Sequence, residues 1–134
     1  MTVSNTPGAP CWIELLTSDA AAAARFYGGL FGWSCTDPVE DLGGYRGFEH
    51  KGAPVAGLMQ NDGSLGHNAW TVYLESDDAA KTVEKAVACG GTVVTDAMPV
   101  ADLGIMAFVV DPAGAGVGVW QPMTHQGIAA LGEV

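Results

Sequence analysis

Apolar and polar positions along the chain change period in the same order twice. Residues 10–17 and 68–75 are apolar, β-branched or aromatic runs and predict strands. After each comes a serine with an aspartate beside it, Ser18-Asp19 and Ser76-Asp77. That places helix N-caps at Ser18 and Ser76, with the carboxylates favouring the positive helix end. The first predicted helix, about 19–30, is nearly all alanine with Phe26, Tyr27 and Leu30. The second, about 77–88, is amphipathic. Ala79, Ala80, Val83, Ala86 and Val87 form one face, Lys81, Glu84 and Lys85 the other, and Gly90-Gly91 ends it. Short strands follow each helix, at 32–36, 44–50 and 54–60 and again at 92–97, 104–110 and 115–120, with residues 111–114 as a turn. Residues 61–66 read as the linker between halves, and residues 1–8 and 123–134 as loose tails.

The two halves repeat. Trp12 to Ala22 aligns with Trp70 to Ala80 at a shift of 58, and Gly57 to Gln60 aligns with Gly118 to Gln121 at a shift of 61. Modules of this size, about 9–60 and 67–122, are too small to stand alone, so residues 1–134 are expected to form one domain with a shared core. The fold class expected is α+β: two βαβββ modules, eight strands and two helices.

Composition narrows the function. A formal charge of −10 repels polyanions, so nucleic acid and acidic membrane surfaces are poor partners, whereas a cationic ligand is attracted. No apolar stretch is long enough to span a membrane, and the first residues lack the basic and apolar regions of a secretory leader, so a cytoplasmic location is expected. Cys11, Cys35 and Cys89 form no CxxC pair and read as reduced structural thiols. There is no phosphate-binding glycine loop and no nucleophile elbow.

Three segments carry a family resemblance: Phe26-Tyr27-Gly28-Gly29-Leu30-Phe31-Gly32-Trp33, Ala88-Cys89-Gly90-Gly91-Thr92-Val93, and Phe108-Val109-Val110-Asp111-Pro112-Ala113-Gly114. With the repeat, they make residues 9–122 resemble the vicinal oxygen chelate superfamily, which includes glyoxalases, extradiol dioxygenases and bleomycin-resistance proteins. The resemblance implies one curled, eight-stranded mixed sheet around a central cleft, and pairing as a homodimer. It also implies four strand positions that hold a divalent ion in metal-dependent members. Here they fall at Trp12, Gly57, Thr71 (or Trp70, if the register differs by one) and Gly118. Indole and glycine cannot supply imidazole, carboxylate or thiolate, so no metal and no cofactor is expected.

Alternation along the first strand places Trp12, Glu14 and Leu16 on one face. If that face lines the cleft, Trp12, Phe48, Met59, Thr71, Tyr73 and Trp120 are the candidate ligand-binding side chains, around glycines that open space, with Glu14 as the orienting group. The competing account is that the aromatics only fill the sheet. A desolvated Glu14 would prefer its neutral form and could bind a basic group or act as a general base. His50, at the end of a strand, is a second candidate for acid–base work. The expected function is metal-free binding of an aromatic or partly cationic organic molecule, such as an antibiotic or secondary metabolite. The alternatives are a metal-independent isomerase, lyase or cyclase using Glu14, and a metalloenzyme with atypical ligands such as Glu14 and His50.

Overall fold

The computed structural model of the protein describes residues 6–64 and 66–129. Its elements run β1 (Pro10–Thr17), α1 (Ala20–Phe31), β2 (Ser34–Cys35), a 3₁₀ turn (Glu40–Leu42), β3 (Arg46–His50) and β4 (Ala53–Gln60). They continue as β5 (Ala69–Glu75), α2 (Ala79–Ala88), β6 (Thr92–Val100), β7 (Gly104–Val110) and β8 (Gly116–Pro122). Two helices and eight strands in mixed pairing, βαβββ twice over, are the predicted α+β class.

The chain resolves into two compact units, one built on Trp12–Trp70 and the other on Thr71–Gly127 with residues 6–11. In the first, the strand order is β2-β3-β4-β1, with β1 parallel to β4 and the other pairs antiparallel. In the second it is β5-β8-β7-β6, with β5 parallel to β8. Each helix covers one face of its own sheet. Leu15, Phe48, Val55, Ala56 and Leu58 are buried beneath α1, with Ala20, Ala23, Ala24 and Tyr27 packed on them. Burying a side chain such as Leu58 fully is worth about 2 kcal/mol. In the second unit Ala79 and Val83 of α2 pack on Ala107, Val109 and Val119. Alanine at five of the core-facing helix positions, 20, 23, 24, 79 and 86, lets backbone and sheet approach closely.

Three expectations about the ends of elements change. The N-caps are Asp19 and Asp78, whose carboxylates accept from the N–H of Ala22 and Lys81; Ser18 and Ser76 do not fill that position. Thr17 and Ser76 instead accept from the N–H of these caps, and Gln60 and Gln121 reach from the ends of β4 and β8 to the N–H of Ala20 and Ala79. These matched pairs lie 59 apart on the helix side, so the Trp12–Trp70 identity at 58 is out of register by one. Ala80 and Val87 are exposed, because 79, 83 and 86 already complete the stripe that a helix turns toward its sheet. The terminal segments are tied down where they are described. Gly8 donates to the Glu75 carbonyl, and Met123 and His125 donate to that of Leu103. The rest of both tails lies outside the described residues.

Candidate functional site

Side chains on the face of the first sheet opposite α1 meet at one point. Glu14 on β1 and Gly57 on β4 are register partners, as are Leu16 and Met59. A side chain at Gly57 would land on the Tyr45 hydroxyl, since its Cβ would lie 1.7 Å from that oxygen. The glycine therefore opens no free space; its missing side chain is replaced by a phenol. That phenol is delivered by the loop before β3. Gly43 and Gly44 both take left-handed backbone (φ 68° and 85°) after the 3₁₀ turn, and Val39 pairs with Tyr45 to close the loop.

The Trp12 indole N–H donates to the Tyr45 hydroxyl at 3.0 Å. An indole N–H is a donor only, so the phenol oxygen accepts and its own proton is directed elsewhere. Glu14 receives it: a side-chain hydrogen bond from Tyr45 holds down a carboxyl pKa that burial raises from 4.5 to about 7. Burial is the larger influence, so the acid titrates near neutrality. No ion pair reaches Glu14 among the described residues, where Lys81–Asp78 is the single salt bridge. The arrangement is a one-directional relay ending on a carboxylate with no cation beside it.

The second unit has its own aromatic face. Tyr73 and Gly118 are register partners, and a Cβ on Gly118 would strike the Tyr73 ring. Trp120 lies over Gly104 in the same manner, its N–H spent on the His125 carbonyl at 2.9 Å and its ring 5.7 Å from the His125 imidazole. Tyr73 and Trp120 are buried, and Thr71 is half-buried on the same strand face as Tyr73. Burial also lowers the pKa of His125.

Phe48 is not with these residues. It is fully buried in the α1 core, because β3 presents Gly47, and the loop before it Tyr45, on the Glu14 side and Phe48 on the other. Tyr45, missed in the sequence, takes its place. His50 sits where β3 turns through Lys51-Gly52, with Nδ1 buried and unpartnered, and it makes no hydrogen bond to the relay.

The four positions at which metal ligands are expected do not suit an ion. Trp12 offers only a donor, Thr71 a neutral hydroxyl, and the spaces at Gly57 and Gly118 hold a phenol and an aromatic ring of the same unit. Among the described residues no three His, Cys, Asp or Glu side chains gather as a metal site would require. Equivalence by register makes Thr71, rather than Trp70, the repeat counterpart of Trp12: Glu14 pairs with Gly57 as Tyr73 pairs with Gly118.

Comparison with known proteins agrees with this architecture. An anthracycline biosynthesis protein of Streptomyces peucetius is 38% identical, over 94% of this chain and 51% of its own length. A glyoxylase-named protein of Mycobacterium tuberculosis is 37% identical, over 94% and 50%. The chain thus spans about half the length of the curated relatives it matches. Among solved structures, a Mn(II)-bound glyoxalase from Novosphingobium aromaticivorans superposes with TM-score 0.63 at 17% identity, covering 95% of this chain and 43% of that one. A variant of Streptomyces coelicolor methylmalonyl-CoA epimerase in complex with 2-nitronate-propionyl-CoA gives 0.64 at 13%, covering 90% and 99%. The family model described as a glyoxalase-like domain matches residues 12–119, and the chain belongs to this glyoxalase-like family of the vicinal oxygen chelate superfamily.

Proposed function

We propose that this protein binds a small organic molecule through Glu14, without a metal, and that the ligand is planar, aromatic and bears a basic group. The observation that carries this reading is the Trp12–Tyr45–Glu14 relay, which fixes an acceptor carboxylate on a sheet face and leaves it no cation of its own. A ligand ammonium would supply the missing partner, and the indole and phenol would supply stacking area. The net charge of −10 favours the same class of ligand and disfavours nucleic acid. Similarity to a protein named for anthracycline biosynthesis supports an aromatic secondary metabolite, with capture or sequestration of an antibiotic as the role.

The test is a tryptophan-fluorescence titration with an anthracycline carrying an amino sugar and with its neutral aglycone, at pH 8. Glu14→Gln should weaken the amine-bearing compound about ten- to a hundredfold, the worth of a charged hydrogen bond, and leave the aglycone nearly unchanged. Equal affinity of wild type and Glu14→Gln for the amine would sink the assignment.

A second reading is favoured by one observation, the Glu14 pKa of about 7. A base poised there suits proton transfer, so an isomerase, lyase or cyclase is the enzymatic form of the same site. Turnover that survives a chelator and disappears in Glu14→Gln would select it.

A further inference from the structure

Of all the residues in β5, β7 and β8, Glu75 alone carries a charge. It ends β5, is only 7% exposed, and its Oε1 is buried with no hydrogen-bond partner. Taking an unpaired carboxylate out of water is costly, and buried polar groups are nearly always paired, so its presence calls for a reason. The architecture supplies none. Glu75 pairs in register with Trp120 as Leu16 pairs with Met59, so the first module fills the equivalent position with an apolar side chain. Glu14, the acid assigned above, corresponds instead to Tyr73.

The surroundings, all within the second unit, say what the acid lacks. Its backbone is fixed on both sides, the N–H donating to the Ala9 carbonyl and the carbonyl accepting from Gly8. Glu75 shares its strand face with Tyr73, about 7 Å along β5, and stands about 5 Å across from Trp120 at the backbone. Both rings lie over glycines of the next strand, Tyr73 over Gly118 and Trp120 over Gly104. Two nearby donors are spent elsewhere: the Trp120 N–H on the His125 carbonyl, and the Cys11 thiol on the Tyr73 carbonyl at 3.5 Å. Burial, with the Glu75 carboxylate adding to it, pushes the Cys11 thiol up to about 11, so this neighbour stays neutral. Among the described residues the single salt bridge is Lys81–Asp78, so no side-chain cation serves Glu75 either. An acceptor without a donor, beside aromatic rings, selects a cation that brings its own N–H groups. So little of the side chain is exposed that only a compact group reaches it. We propose that Glu75 binds a small ammonium group beside Tyr73 and Trp120, either the free ion or the end of an alkylamine. This inference stands independently of the aromatic ligand assigned to Glu14.

Thermal unfolding of the whole chain in ammonium, methylammonium or butylammonium chloride tests it, each compared with sodium and tetramethylammonium chloride at the same concentration. A cation that binds only the folded state, at about tenfold above its Kd, should raise the melting temperature by about 5 °C over sodium. Tetramethylammonium, bulkier and without an N–H, should give no such rise. Glu75→Gln and Glu75→Leu should each lose the rise, and Glu14→Gln should keep it. A rise with ammonium and methylammonium alone assigns the free ion; one with butylammonium as well assigns an alkylamine. Four results would overturn the proposal. A wild-type chain indifferent to ammonium would leave the carboxylate to solvent, and an equal rise with tetramethylammonium would show that no N–H is recognised. Either Glu75 variant keeping the rise would place the ion elsewhere. A Glu14→Gln chain that loses it would move the ion to the first unit and leave the reading of Glu14 standing.

Discussion

Glu14 holds a proton more tightly in the folded chain than in the unfolded one, and stability must record the difference. Its pKa rises from 4.5 to about 7 on folding, so between those values the folded state binds more protons than the unfolded state. Stability is therefore fully present below about pH 4.5, falls as pH rises through that window, and levels off above about 7. At about 1.4 kcal/mol per pH unit the limb is worth at most about 3 kcal/mol, and less because the side chain is only partly buried. Urea unfolding between pH 4 and 9 should show this limb in the wild type and a flatter one in Glu14→Gln, which cannot titrate. In Tyr45→Phe the phenol no longer favours the carboxylate, so the limb should extend to higher pH. It should come with a general loss of about 1 kcal/mol, because the Trp12 N–H loses its hydrogen bond to the phenol. A Glu14→Gln chain as pH-sensitive as the wild type would remove Glu14 as the source.

At the scale of elements, the relay depends on register between strands. Tyr45 reaches Glu14 only because β4 presents a glycine where β1 presents the acid. Gly57→Ala should break the relay without altering any member of it, since the new methyl occupies the phenol's place and Tyr45 must swing away. The expected cost is about 1–3 kcal/mol, as for overpacking, together with loss of the Glu14-dependent ligand affinity. Normal affinity in Gly57→Ala would show that the phenol does not hold Glu14 in its binding geometry. The sequence made the elements themselves legible, because periods of 2 and 3.6 survive in β1, α2 and β7 without reference to anything distant. It made the shared strand face of Glu14 and Trp12 legible for the same reason. Tyr45 was hidden because its position follows from a loop, namely a 3₁₀ turn and two left-handed glycines, and loops carry no period. Phe48 was misplaced for a related reason. A strand read in isolation has two faces, and only the partner strand says which one holds the acid. The caps shift, by one residue in α1 and by two in α2, for a local reason: both serine and aspartate cap helices well, and the chain at each site contains both.

For the whole molecule, the relevant quantity is a field. The chain carries fifteen carboxylates against five basic side chains, and the acid on the face proposed to bind is half protonated near pH 7. The field and the acid act on different stages of capture. The summed negative charge draws a cationic ligand in from a distance and is screened over about 10 Å at 0.1 M salt, so it governs the association rate. In the proposed assignment Glu14 acts at contact, in a partly desolvated place where salt screens little, so it would govern the dissociation rate. Raising ionic strength should therefore slow association of an amine-bearing aromatic ligand several-fold while leaving its dissociation nearly constant. Glu14→Gln should do the reverse, with dissociation faster and the salt dependence of association intact, because one carboxylate removed from fifteen barely changes the net charge. Stopped-flow fluorescence at two salt concentrations separates the two. If salt instead speeds dissociation as strongly as it slows association, the charge that holds the ligand is a solvated surface carboxylate, and the half-buried acid beside Tyr45 is not the anchor.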